Sequence, residues 1–133
     1  MSPSAVLDLG TNTFRLLIFR SNPARKLTRL RVERHTPRMG EGAAESGRIS
    51  PASCKRGETV LRQYDAILRK ERVAEVRAVA TGIFRVAKNA GAVLQRLSRA
   101  LSHPIRVISG KEEGRYTLSG RARSVRPVGL LLL

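Results

Sequence analysis

Ala5-Val6-Leu7-Asp8-Leu9-Gly10-Thr11-Asn12-Thr13-Phe14-Arg15-Leu16-Leu17-Ile18-Phe19 decides how this chain is built. Ala5 to Leu7 is a short apolar run that ends in Asp8-Leu9-Gly10, and Phe14 to Phe19 is a second one. Thr11, Asn12 and Thr13 supply turn chemistry between them, so the stretch reads as strand, tight turn, strand. Gly10 lets backbone approach a ligand, and successive turn amides with the Thr and Asn side chains can cradle a phosphate. Asp8 would then hold a divalent cation, because a hard cation bound to phosphate takes carboxylate oxygen. An ordinary hairpin turn draws on the same residue types, so the hexapeptide alone leaves both readings open.

Outward from that hairpin, Asn22-Pro23 breaks the second strand, and Leu27 to His35 alternates as a third, half-exposed strand. A loop carrying Gly40-Glu41-Gly42 and Gly47 follows. Ser50-Pro51 gives an N-cap and a proline at the first helical position. Val60, Leu61, Tyr64, Ile67 and Leu68 then recur at helical spacing, which predicts an amphipathic helix to about Lys70. Val76 to Ala80 is a fourth strand. Asn89 caps a second helix with the apolar face Val93, Leu94, Leu97, Ala100 and Leu101, which His103-Pro104 ends. Ile105 to Ile108 is a fifth strand, Ser109 opens a third helix to about Gly120, and Val125 to Leu133 resumes as a strand. Strands alternating with helices after an opening meander predict an α/β domain with a mixed sheet.

Two further segments carry candidate chemistry. In Ser109-Gly110-Lys111-Glu112-Glu113-Gly114, the amides of a helix start favour an anion, which marks Ser109 and Gly110 as phosphate contacts. Ser109 and Glu112 stand in the S-x-x-E relation of a capping box, which gives Glu112 a structural task. Glu113 has none, and is the better candidate for a general base toward an attacking water, although a first-turn acid also suits the helix dipole. Arg85, in Thr81-Gly82-Ile83-Phe84-Arg85, comes just after a strand end, where α/β proteins place ligand contacts. Its guanidinium can grip phosphate bidentately. His35, His103 and Cys54 lack partners at metal-ligand spacing.

With 133 residues the chain is long enough for one core and short for a two-lobed enzyme. Aromatic residues make up only 4%, so the core is expected to be aliphatic. Twenty-six Lys+Arg against ten Asp+Glu leave a net charge of +16, a field that draws any polyanion. An Arg-rich solvated surface has the same composition, so charge names no partner. Cys54 is the only cysteine, which excludes an intramolecular disulfide and suits a reducing cytoplasm. The start Met1-Ser2-Pro3-Ser4 lacks the basic and apolar regions of a signal peptide, and no apolar run approaches the ~18 residues of a membrane span.

Together, in order and spacing, these segments resemble the N-terminal lobe of the exopolyphosphatase/guanosine pentaphosphate phosphohydrolase (Ppx/GppA) family. Its first phosphate loop is matched by Asp8-Leu9-Gly10-Thr11-Asn12-Thr13-Phe14-Arg15-Leu16, and its Arg-hydrophobic-Gly-Glu-Gly loop by Arg38-Met39-Gly40-Glu41-Gly42. Ala80, Thr81, Arg85, Ala87 and Asn89 match a third segment, and Ile108, Ser109, Gly110, Glu112 and Glu113 a fourth. The resemblance implies an actin-like, ribonuclease-H-like lobe of the sugar kinase/heat-shock chaperone/actin superfamily over 1–123, with 124–133 as the first strand of a second lobe. It implies Mg²⁺-dependent hydrolysis of the terminal phosphoanhydride bond of inorganic polyphosphate or guanosine pentaphosphate. Glu113 carries over as base, Arg85 as phosphate ligand, and Asp8, Asn12 and Thr13 as the phosphate and metal loop. No specific nucleic acid or membrane partner is expected, and a homodimer is left open. The family continues from the final strand into Asp-Ile-Gly-Gly-Gly-Ser, a second phosphate loop beyond Leu133, so this chain alone is expected to be weakly active or inactive. A basic polyanion-binding module without catalysis is the alternative.

Overall fold

β1 (Ser4–Leu9) occupies the middle of a five-stranded sheet and is hydrogen-bonded on both sides. In the computed structural model, which describes residues 2–24 and 26–109, the strand order is β3-β2-β1-β4-β5. β2 (Phe14–Ser21) runs antiparallel to β1, and β3 (Leu27–His35) antiparallel to β2. β4 (Glu75–Ala80) and β5 (Ile105–Val107) run parallel to β1. This is the mixed sheet of an α/β lobe, as the alternation of elements predicts. Four of the five strands therefore end at the same edge, where His35, Phe14, Leu9, Ala80 and Val107 stand side by side in register.

The helices connect these strands. α1 (Ala43–Ser46) and α3 (Ile83–Val86) are single turns, while α2 (Pro51–Lys70) and α4 (Ala90–Leu101) are long and pack on each other. Ser50 caps α2 as expected, its hydroxyl accepting from the Ser53 amide at 3.0 Å. Arg72, at φ 53°, stops it, with the Val73 amide bonded to the Leu68 carbonyl across the end. Asn89 departs from expectation. It precedes α4 without a capping bond, and its side-chain amide instead pairs with both backbone groups of Ile49, at 2.8 and 2.9 Å. The carboxamide that would have capped the helix fastens the loop before α2.

Leu7, Leu9, Phe14, Leu16 and Ile18 of the sheet meet Leu61, Tyr64, Leu68, Val93, Leu97 and Leu101 of the helices in one buried core. It is mostly aliphatic, yet all three phenylalanines are buried too, Phe14 and Phe84 with ring centroids 6.2 Å apart. Val6, Leu17 and Phe19 form a smaller cluster on the other face. Cys54 is buried within α2. β3 is the exposed edge of the sheet, its ladder slips by one residue opposite Ile18/Phe19, and Leu30 and Val32 lie open. The helix expected from Ser109, the strand expected at 125–133 and the boundary near 123 lie outside the described residues. Among the described residues no helix is long and apolar enough to cross a membrane.

Two polar clasps fix α2, one to the sheet and one to α4. Tyr64, fully buried on α2, donates its hydroxyl to the Phe14 carbonyl at 2.9 Å, and His35 Nδ1 meets the same hydroxyl at 3.1 Å. Burial, and then the Glu33 charge, push the phenol well above its ordinary value, so it stays a donor. Tyr64→Phe leaves the Phe14 carbonyl and His35 without that partner, and should cost about 1–3 kcal/mol in urea unfolding. The second clasp is Glu58 of α2 with Arg96 of α4. The Arg96 hydrogen bond, opposed by desolvation and helped by the Arg62 charge, holds the Glu58 carboxyl below its usual 4.5. A depressed carboxyl stabilises the fold above its unfolded value, and the contribution is lost as pH falls through the depressed one. Arg96→Ala should move the Glu58 titration upward, read by carboxyl carbon NMR.

Candidate functional site

The turn after β1 is shaped by what its carbonyls do. The Thr11 carbonyl accepts from Gly40 N at 3.1 Å, Asn12 from Arg38 N at 3.1 Å, and Thr13 from Gly10 N at 3.0 Å. All three are thus consumed inside the protein. The amides of Thr11, Asn12 and Thr13 find no acceptor among the described residues, so the turn presents consecutive unclaimed N–H groups. A run of such donors is an anion-binding concavity. Asn12 is exposed, Gly10, Thr11 and Thr13 are half-buried, and Asp8 is buried just before them at 9% exposure. A Cβ on Gly10 would stand 3.1 Å from the Thr13 carbonyl oxygen, a tight approach that glycine relieves.

Two neighbouring loops are bonded to this turn or the strand end before it, and a third, after β5, is bonded to the β4 side. After β4, Thr81 N donates to Leu9 O at 3.1 Å, and Ile83 N donates to the Thr11 hydroxyl at 3.0 Å. After β5, Ile108 N donates to Ala80 O at 3.1 Å, and Arg85 reaches across to the Ile108 carbonyl at 3.2 Å. Ser109, exposed, is the last described residue on that side. After β3, the Arg38–Gly42 segment lies against the turn through Arg38 N and Gly40 N. Asp8, Gly10, Thr11, Asn12, Thr13, Arg85 and Ser109 are therefore brought to one edge of the sheet. Gly110, Glu112 and Glu113 lie outside the described residues. Among those described, no three carboxylate, histidine or cysteine side chains form a metal cluster.

Thr11 does more than the sequence shows. A Cβ on Gly82 would fall 2.1 Å from its Oγ1, and one on Gly40 2.6 Å from its Cγ2. Gly82 also holds φ 58° and ψ −117°, a conformation that side chains resist. Thr11 is thus a key seated between two glycines from loops far apart in sequence. Glycines in the loops after strands were the available signal; which side chain fills their space was not legible.

A family model described as the Ppx/GppA phosphatase family matches residues 17–131. The chain belongs to that family. The crystal structure of the Aquifex aeolicus member superposes with a TM-score of 0.87 at 30% identity, covering 95% of this chain and 41% of that one. An exopolyphosphatase from Cytophaga hutchinsonii gives a TM-score of 0.85 at 27% identity, covering 90% of this chain and 38% of that one. A nucleoside triphosphate hydrolase structure from Neospora caninum, at 16% identity and a TM-score of 0.59, covers 92% of this chain and 32% of that one and shares the fold alone. This Ppx/GppA chain thus spans about two fifths of its solved family relatives, and its lobe has the actin-like architecture.

The Thr11 joint makes a specific prediction. Gly40→Ala should destabilise the chain by about 1–3 kcal/mol, the usual scale for overpacking. Adding Thr11→Ser removes Cγ2 and should restore most of that loss, whereas the same serine should not rescue Gly82→Ala, whose clash is with the retained Oγ1. Denaturant midpoints of the single and double variants measure both; equal rescue at the two glycines contradicts the packing described.

Proposed function

We propose that this lobe binds a terminal phosphate of inorganic polyphosphate or guanosine pentaphosphate, as half of a site that hydrolyses phosphoanhydride bonds. The observation that carries the reading is the set of three amides at Thr11–Thr13 that find no acceptor among the described residues, beside buried Asp8 and on the sheet edge that also carries Arg85. Membership of a phosphatase family and likeness to an exopolyphosphatase support it.

The donor set suits Mg²⁺, which binds through one or two carboxylates and completes its shell with water and substrate phosphate. Asp8 is the carboxylate that would hold it, and the ion supplies charge neutralisation at the phosphoryl oxygens when bound. The turn amides would grip the terminal phosphate and fix its orientation. Arg85 would neutralise charge that develops on the phosphoryl oxygens as the bond to the leaving oxygen breaks. Glu113, opening the segment after Ser109, would take the proton from the attacking water. The family resemblance puts the second phosphate loop after Leu133, so residues 1–133 alone should bind phosphate chains and release little or no phosphate. The single buried thiol, Cys54, fits a cytoplasmic setting.

The +16 charge supports a rival reading, in which a scattered basic surface holds any polyanion without catalysis. Both readings predict steep salt dependence, so the site must decide. Arg85→Ala should weaken binding of short polyphosphate by on the order of 2 kcal/mol, the scale of a charge-assisted hydrogen bond. Arg69→Ala, which removes a helix-surface arginine paired with Asp65, should change little. Equal losses in a salt-matched calorimetric titration would favour the scattered surface.

A further inference from the structure

Among the described residues three side-chain-bearing positions have positive φ: Arg38 at 55°, Arg72 at 53° and Ser102 at 65°. Such backbone is costly for any residue with a Cβ and persists only where the surroundings enforce it. Two of the three have an ordinary reason. Arg72 stops α2, and Ser102 stops α4, with its amide bonded to Ser98 O at 2.8 Å. Arg38 ends no helix.

What holds Arg38 there is a dense set of bonds to its backbone. Its amide donates to Asn12 O at 3.1 Å, within the turn that follows β1. Its carbonyl accepts from Ser53 Oγ at 3.0 Å, Arg56 Nη2 at 3.3 Å and Glu41 N at 3.2 Å. Arg56 also donates to Pro37 O at 2.8 Å and pairs with Glu41 at 2.9 Å, so its charge is answered locally. The next residue, Met39, is fully buried and packs where α2 carries Gly57; a Cβ there would lie 2.8 Å from the Met39 sulfur. A helix-interior glycine is itself unfavourable. Two local costs thus serve the placement of one short segment. The guanidinium of Arg38 is exposed and joined to no described residue by a salt bridge or side-chain hydrogen bond.

We propose that Arg38 is a second phosphate-gripping arm of this site, on the β3 side of the turn as Arg85 is on the β4 side. The inference rests on the phosphate-binding reading above. Its ligand is the phosphate next to the one held by the turn amides, in a chain of linked phosphates. An arginine there gives bidentate recognition that a single bound phosphate would not need.

Arg38→Gly tests this, because glycine takes the left-handed backbone freely while removing the guanidinium. Arg72→Gly is the matched control: the same exchange, the same backbone region and the same charge loss, at the end of α2, next to the start of β4 and at the opposite end of the sheet. Titrated with short inorganic polyphosphate at fixed salt, Arg38→Gly should bind on the order of tenfold more weakly, with an unfolding midpoint no lower than wild type. Arg72→Gly should bind as wild type does, and Arg38→Lys should fall between. Equal affinities for the two glycine variants overturn the proposal, as does a loss of affinity in Arg38→Gly that Arg38→Lys fully restores, since charge alone would then suffice. Arg85→Ala in the same series separates the two ideas. If it weakens binding while Arg38→Gly does not, the site stands and the second arm fails; if neither weakens binding, the site itself fails.

Discussion

The hydrogen bond from the Ile83 amide to the Thr11 hydroxyl ties the β1–β2 turn to the loop after β4, and the rest of the site depends on that tie. Strand pairing brings the loops to one edge of the sheet but leaves their tips free to wander. Thr11 removes that freedom by occupying the space that Gly82 and Gly40 leave vacant. Its carbonyl and those of the next two residues are each held by a backbone amide, which fixes the path of the turn. Donors preorganised in this way need no rearrangement when an anion arrives.

The sequence made much of this legible. Short apolar runs placed β1 and β2, alternation placed β3, and Ser50-Pro51 placed the start of α2 to the residue. What escaped did so for physical reasons. α1 and α3 are four residues each, too short to show any periodicity. Asn89 stands where a cap belongs, yet a partner forty residues away competed successfully for its carboxamide. Gly82 and Gly40 were visible as glycines, but their role is a relation to Thr11 across long stretches of chain. Arg38 appeared only as one letter of a loop motif, since nothing local signals a left-handed arginine.

The basic composition also divides once geometry is added. Arg31, Arg62, Arg69 and Arg77 sit in ion pairs with carboxylates, mostly exposed and worth little individually. These arginines decorate a solvated surface. Arg38 and Arg85 differ in being placed by backbone constraint at the sheet edge where the turn amides gather. Net charge and the charge placed at this edge are separate properties here.

The outer rim of β3 has a consequence for solubility. An open strand with Leu30 and Val32 uncovered is a template onto which another strand can add. Arg29, Arg31 and Arg34 lie along the same strand, so a second copy approaching edge to edge brings arginine rows together. The ladder slip opposite Ile18/Phe19 further spoils a straight match. Mutual repulsion is a long-range guard, however, and its reach shrinks from about 10 Å at 0.1 M salt to about 3 Å at 1 M. Concentrated electrolyte therefore strips this rim of its electrostatic protection and leaves the slipped register as the remaining obstacle to self-association.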